Sequence, residues 1–208
     1  MPELQNPEDG VPPNWWRERT TPVPPVGYAD MIEEVRILQD RVAAAVPDVT
    51  AVSEVTELLR RASEILAPLE RDEWSQVSGF AADLPSRGSA LMPVLRDLKV
   101  TDESIHGKVR FGRFHLGGNG AAHGGTIPLI FDDLLGRFSV NGGRPVGRTA
   151  YLHVDFRSIT PIEKDLDISG WFVSEQGRKR VLRGVLRDGD TVCAEAEGLF
   201  VRLNPGQS

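Results

Sequence analysis

The chain has 208 residues and only one cysteine, Cys193. A single thiol cannot form an internal disulfide, so the fold must hold by packing alone, and a reducing cytoplasmic setting is expected. Between Val192 and Ala194 that thiol reads as a small buried strand residue, not a nucleophile. Long apolar runs are missing too: none approaches the ~20 residues of a membrane span, and no signal peptide is legible. Positive charge is not in excess. Lys and Arg total 24 against 30 Asp and Glu, a formal charge of −6, which argues against a general nucleic-acid binder. There is no G-x-S-x-G elbow and no G-x-x-x-x-G-K-[S/T] phosphate loop. His106, His115, His123 and His153 show no metal-ligand spacing, so no metal or other cofactor is expected.

What is present centres on residues 111–138, FGRFHLGGNGAAHGGTIPLIFDDLLGRF. Ile127, Leu129, Ile130, Phe131, Leu134, Leu135 and Phe138 cover nearly the whole circumference of one helix, the pattern of a buried helix. Asp132 and Asp133 therefore stand where ionised carboxylates are expensive, so one of them should point into a cleft. Adjacent residues diverge by about 100° around a helix, so the two should differ in role, Asp133 being the structural partner of a pair. Pro128 requires a helix start near Thr126, since proline is tolerated only in the first turn. The preceding turn, Gly117 to Gly125, feeds a helix N-terminus whose free N–H groups and positive dipole suit an anion or a polarised carbonyl oxygen. Gly118-x-Gly120-x-x-His123 lacks the third glycine of a dinucleotide fingerprint, and no βαβ alternation follows it.

Around this stretch the chain divides into four parts. Residues 1–27 form a proline-rich arm, in which Trp15 and Trp16 suggest docking onto the body or a partner. Residues 28–72 carry two amphipathic runs, Met31 to Val46 and Val52 to Leu69, separated by Pro47, and read as a helical hairpin. Residues 73–100 are broken by Gly79, Pro85, Gly88 and Pro93 and read as a loop-rich connection. Residues 101–204 read as the main domain. It should have a first strand over 106–115, the helix, a turn at Asn141–Pro145, and strands near 148–159, 165–175, 178–187 and 191–203. Gln176-Gly177 and Asp188-Gly189-Asp190 mark tight hairpins. A helix against an antiparallel meander is an α+β arrangement.

Two motifs in this order and spacing resemble the hotdog-fold acyl-CoA thioesterases, in the branch of PaaI-like proteins and thioesterase superfamily members. One is His123-Gly124-Gly125 with Asp132 nine positions after the histidine. The other is Thr149-Ala150-Tyr151-Leu152-His153-Val154-Asp155-Phe156, closed by Pro161. The resemblance spans about residues 100–203 and implies a long central helix wrapped by an antiparallel sheet, here with an N-terminal helical extension. It further implies hydrolysis of an acyl-CoA to free acid and coenzyme A, with coenzyme A entering as part of the substrate, in a homodimer or dimer of dimers. On the resemblance, Asp132 is the general base or nucleophile, Gly124 supplies the oxyanion amide, and Thr149 places the water. His123 is the further catalytic candidate, as an acid or as the residue that orients the turn. PaaI-like members carry an asparagine six residues before the histidine; here that position is Gly117, and Asn119 lies two residues nearer.

Asn119, Gly125, Arg148, Arg157, Arg178 and Lys179 are the substrate-binding candidates, the cations because guanidinium and ammonium groups suit the phosphates of coenzyme A. The competing reading of the run Arg178-Lys179-Arg180 is a solvated hairpin. Eight helical residues span about 12 Å, so Gly124 and Asp132 of one chain cannot both reach one thioester carbon. A non-catalytic acyl-CoA sensor on the same fold is the alternative function.

Overall fold

The computed structural model describes residues 23–72 and 75–204. They fall into two compact units, one running to Leu91 and the other starting at Met92. Trp15, Trp16 and most of the proline-rich arm lie outside the described residues.

In the first unit, α1 (Tyr28–Ala44) and α2 (Val49–Leu66) form at the two amphipathic runs. Asp48 caps α2 by accepting the Ala51 amide at 2.8 Å, and a 3-10 turn, Ala67–Leu69, follows it. The start of α1 is anchored within the unit: Ile32 is buried, and Arg36 donates to the Ser89 carbonyl at 2.6 Å. The packed helical hairpin expected of residues 28–72 does not form. Ala45 is extended and Val46 precedes Pro47, which ends α1. The two helices do not pack along each other, and no residue of α2 is buried.

The second unit is a six-stranded antiparallel sheet with one helix against it. Its strands are β1 (Leu95–Val100), β2 (Ser104–Arg110), β5 (Gly147–Phe156), β6 (Asp165–Gln176), β7 (Lys179–Asp188) and β8 (Thr191–Arg202), in the spatial order β1-β2-β6-β7-β8-β5. A separate two-stranded ribbon, β3 (Leu116–Gly118) and β4 (Ala121–Ala122), leads into α3 (Thr126–Ser139). Two expectations need correcting. Leu95–Val100 is a strand, not part of a loop-rich connection, because its backbone pairs with β2. The first long strand stops at Arg110, and Arg113–His115 instead forms a 3-10 turn that starts the glycine-rich segment.

A row of small side chains seats α3. Ile105 lies opposite Gly170, Gly170 opposite Gly184, Gly184 opposite Ala196, and Ala196 opposite Val154. A Cβ at Gly170 would lie 2.6 Å from Leu135 Cδ2, and one at Gly184 would lie 3.0 Å from the Phe131 ring. The glycines thus form a furrow into which Phe131 and Leu135 drop, and both are fully buried. Ile130, Leu134 and Phe138 complete the core from the helix; Val109, Leu166, Ile168, Leu182 and Phe200 meet them from the sheet. Such aliphatic and aromatic burial contributes about 1.5–3 kcal/mol per side chain, which is why this helix forms despite Gly136 in its interior.

Candidate active site

The geometry starts at the turn before α3. Gly118, Asn119 and Gly120 all have positive φ (146°, 49° and 72°), so the β3–β4 turn is left-handed throughout. Asn119 occupies one of these positions, a conformation that asparagine tolerates, and it reads as a turn residue. Position 117 accepts no side chain, because a Cβ there would stand 2.8 Å from His123 Cα. An asparagine at this point would push the turn apart. The segment after β5 pins the turn from outside: the Ala122 amide donates to the Thr160 carbonyl at 2.8 Å and the Ile162 amide to the Gly120 carbonyl at 3.1 Å.

His123 organises the next three residues. Its amide donates to the His115 carbonyl at 2.7 Å, and its carbonyl accepts the Thr126 amide at 2.9 Å. Its ring Nδ1 accepts the Gly125 amide at 3.0 Å, which places the ring proton on Nε2. The Gly125 N–H is therefore already used within the turn. The Gly124 N–H, by contrast, has no acceptor among the described residues, and Gly124 is exposed. Phe156, at the far end of β5, lies beside it, with ring carbons 3.8 Å from the point where a Gly124 Cβ would be. Phe156 ends the Thr149–Phe156 motif, but no place at this site was expected of it. The available signal was an aromatic continuing the Leu152, Val154 face of an alternating strand.

Two turns into α3 the acidic pair divides. Asp133 is buried and accepts from Arg137 Nε at 2.8 Å, an i,i+4 ion pair. Asp132 is exposed within one chain, not buried as its neighbours suggested, and Thr149 Oγ1 donates to its Oδ1 at 2.8 Å. Among the described residues no cation pairs with it. One hydroxyl therefore orients this carboxylate while its remaining lone pairs stay open to a water. No group of three or more His, Cys, Asp or Glu among the described residues is placed to hold a metal ion.

The cationic candidates separate into two places. Arg148 on β5 and Lys179 on β7 both face Val201 of β8, so the three stand in one row across the sheet, Arg148 and Lys179 about 10 Å apart. Arg178 lies beside them and donates to the Arg202 carbonyl at 3.1 Å. Arg157 is nine residues from Arg148 along the strand direction, about 30 Å away. It pairs with Glu195 at 2.7 Å and Asp155 at 3.0 Å, and the Glu195 contact raises its pKa further. There it lines a cleft of about 320 Å³ with His153, Arg183 and Glu197. Within one chain Arg157 cannot share a ligand group with Arg148, Arg178 and Lys179. Arg180, which read as part of a solvated run, is buried and belongs to neither place.

A helix in the furrow of an antiparallel sheet is the hotdog arrangement, and in this the chain is similar to solved structures of the thioesterase superfamily. A thioesterase superfamily protein of known crystal structure superimposes with a TM-score of 0.73 at 26% identity, over 88% of this chain and 94% of its own. The acyl-coenzyme A thioesterase THEM4 of Bos taurus is 33% identical over 99 residues, which cover 47% of this chain and 40% of that protein. The chain thus matches less than half the length of that relative. No protein-family model matches the chain.

Proposed function

We propose that this protein hydrolyses an acyl-CoA thioester to a carboxylic acid and coenzyme A, at sites shared between two copies of the chain. The observation that carries the reading is an open Gly124 amide and an oriented Asp132 carboxylate that one chain holds too far apart for one carbonyl carbon. Gly124 sits beside Phe156 and Asp132 beside Thr149, seven residues apart on β5, about 23 Å along the strand. β5 is an edge strand. Antiparallel pairing of two β5 edges centred on His153, with the extra residue between Thr149 and Tyr151 taken up as a bulge, sets Thr149 of one copy against Phe156 of the other. Each Asp132 then faces the other copy's Gly124, and an isologous contact of this kind yields two sites per dimer.

In the proposed reaction Asp132 takes a proton from water as the oxygen attacks the thioester carbon. The Gly124 N–H of the other copy, at a helix N-terminus, stabilises the oxyanion. Collapse breaks the C–S bond, and the departing thiolate takes the proton back from Asp132. Thr149 holds the carboxylate and the water in line. Arg148, Arg178 and Lys179 receive phosphates of coenzyme A, and no further cofactor is needed.

Thiol release across short, medium, long-chain and aryl acyl-CoAs tests the reaction. Binding of these esters without release would point instead to an acyl-CoA sensor. Mixing tests the sharing. Asp132→Ala and Gly124→Pro are each expected to be inactive, yet co-expressed at equal levels they should recover about a quarter of wild-type activity. Half the dimers are then mixed, and one of their two sites is intact. Recovery of nothing, from chains shown to have mixed, would reject a shared site.

His123 enters this reading as a positioning residue, acting through Gly125. Asparagine can place its Oδ1 near the Nδ1 position; glutamine reaches the Nε2 position instead. His123→Asn should stay within a few-fold of wild-type kcat, while His123→Gln should lose about ten- to a hundred-fold with little change in KM. Equal losses in both variants would show that the Nδ1 contact is not what matters.

A further inference from the structure

α2 is an 18-residue helix with none of its residues buried. An isolated helix of that length is marginal in water, and most helical stability in proteins comes from packing an apolar face. Val52, Val55, Leu59, Ala62 and Leu66 recur at alternating three- and four-residue steps, and Leu69 of the following turn continues the series. These are a and d positions of a heptad repeat. Leu58 and Ile65 widen the seam on one flank; Thr56 and Ser63 line the other. The charged residues Glu54, Glu57, Arg60, Arg61 and Glu64 all fall outside it, so two identical faces meet without like-charge repulsion. The large side chains of the face are 39% to 67% exposed. They leave roughly 600 Å² open, at the upper limit for a patch on a monomer. Each partner of a standard interface contributes about 800 Å².

We propose that the apolar face of α2 is closed by α2 of a second copy of this chain, packed antiparallel across a two-fold axis that passes between Arg60 and Arg61. The side-chain sizes decide the orientation. Antiparallel packing sets Leu59 opposite Ala62, Val55 opposite Leu66 and Val52 opposite Leu69, so every layer joins a small residue to a large one. Parallel packing would set Ala62 against Ala62 and leave a void beside a crowded leucine layer, contrary to the uniform density of packed interiors. The self-complementary face is what a two-fold contact requires. This second contact between copies is independent of the reaction proposed above.

Distances between spin labels on the full chain test it, using Thr50→Cys or Glu57→Cys with Cys193→Ala. Both labels lie on the helix side away from the seam. Antiparallel packing separates the two copies' residue 50 by about 32 Å along the axis and residue 57 by about 10 Å. The inter-copy distance at 50 should therefore exceed that at 57 by roughly 10–15 Å. Leu59→Glu should remove the short distance at 57 and its offset from that at 50, leaving only what a β5-edge dimer gives, while the β-sheet circular dichroism remains. Ala62→Leu, which places leucine against leucine, should weaken the contact about tenfold or more, and Leu59→Ala added to it should restore the contact. Equal distances at the two positions, or a tighter contact in Ala62→Leu, would mean parallel packing and overturn the proposal. So would the absence of any inter-copy distance at residue 57, which would assign the face to the N-terminal arm or to another protein.

Discussion

Asp132→Ala is expected to cut thioester turnover by about 10²- to 10⁴-fold, the range for loss of a positioned general base. The folded chain should scarcely notice. Asp132 is exposed within one chain, and its one side-chain bond is to Thr149, so the stability change should stay within about 1 kcal/mol. This separation of rate from stability is what makes the variant informative. Asp132→Asn keeps an acceptor for the Thr149 hydroxyl and loses only the basicity. A comparable loss in both variants would tie the effect to proton transfer; a much smaller loss in the asparagine variant would tie it to orientation. Wild-type turnover in Asp132→Ala, with an unchanged thermal midpoint, would remove this carboxylate from the chemistry.

The second large effect belongs to Arg180, where stability should fall. Its guanidinium is buried and satisfies three acceptors: Glu175 at 3.0 Å, the Ser139 carbonyl at 2.9 Å and the Pro145 carbonyl at 2.7 Å. Ser139 ends α3 and Pro145 leads into β5, so one side chain ties the helix end to the strand that carries Thr149. Arg180→Ala leaves two carbonyls and a carboxylate short of donors. The expected cost is about 2–4 kcal/mol, with Glu175 discounted because it is partly exposed and keeps Arg144 as a partner. For a unit of this size that is roughly a 6–15 °C lower midpoint. Arg180→Lys restores charge without the fork and should recover only part of the loss. A midpoint within 1–2 °C of wild type would contradict the role.

A pH dependence follows from the same cluster. The Arg144 hydrogen bond, followed by that of Arg180, holds the Glu175 pKa below its ordinary value, outweighing burial. A depressed folded-state pKa means stability that is present above the ordinary carboxylate range and is lost as pH falls through the depressed value. In Arg180→Ala that acid-side loss should shrink.

Much of this chain was readable residue by residue. The furrow helix declared itself because apolar residues at nearly every position suit only a buried helix, and Pro128 fixed its start near Thr126. Strands β6, β7 and β8 fell within a residue or two of their expected bounds. Period-two alternation and the glycine turns at Gly177 and Gly189, both left-handed, are local properties. Where local signals were weak the reading failed. β1 contains a left-handed Asp97 and a register shift, so its alternation is broken, and only pairing with β2 makes it a strand.

For the candidate site, the pattern of His123, Gly124 and Asp132 was visible as spacing along one segment, since a turn and a helix carry their geometry in sequence order. Which N–H stays open was not visible, because it depends on where the His123 ring turns. The cations show the same division. Arg178, Lys179 and Arg180 are consecutive, yet strand pleating and the turn give one a carbonyl partner, one a place in a row with Arg148, and one a buried seat under the helix end. Arg148 and Arg157 look equivalent in the sequence and lie about 30 Å apart on an extended strand. Periodicity, backbone conformation and side-chain type made most elements and the residues able to do chemistry legible along the chain. Which of those residues meet is set by strand register, which joins positions such as Arg148, Lys179 and Val201 that no local rule connects.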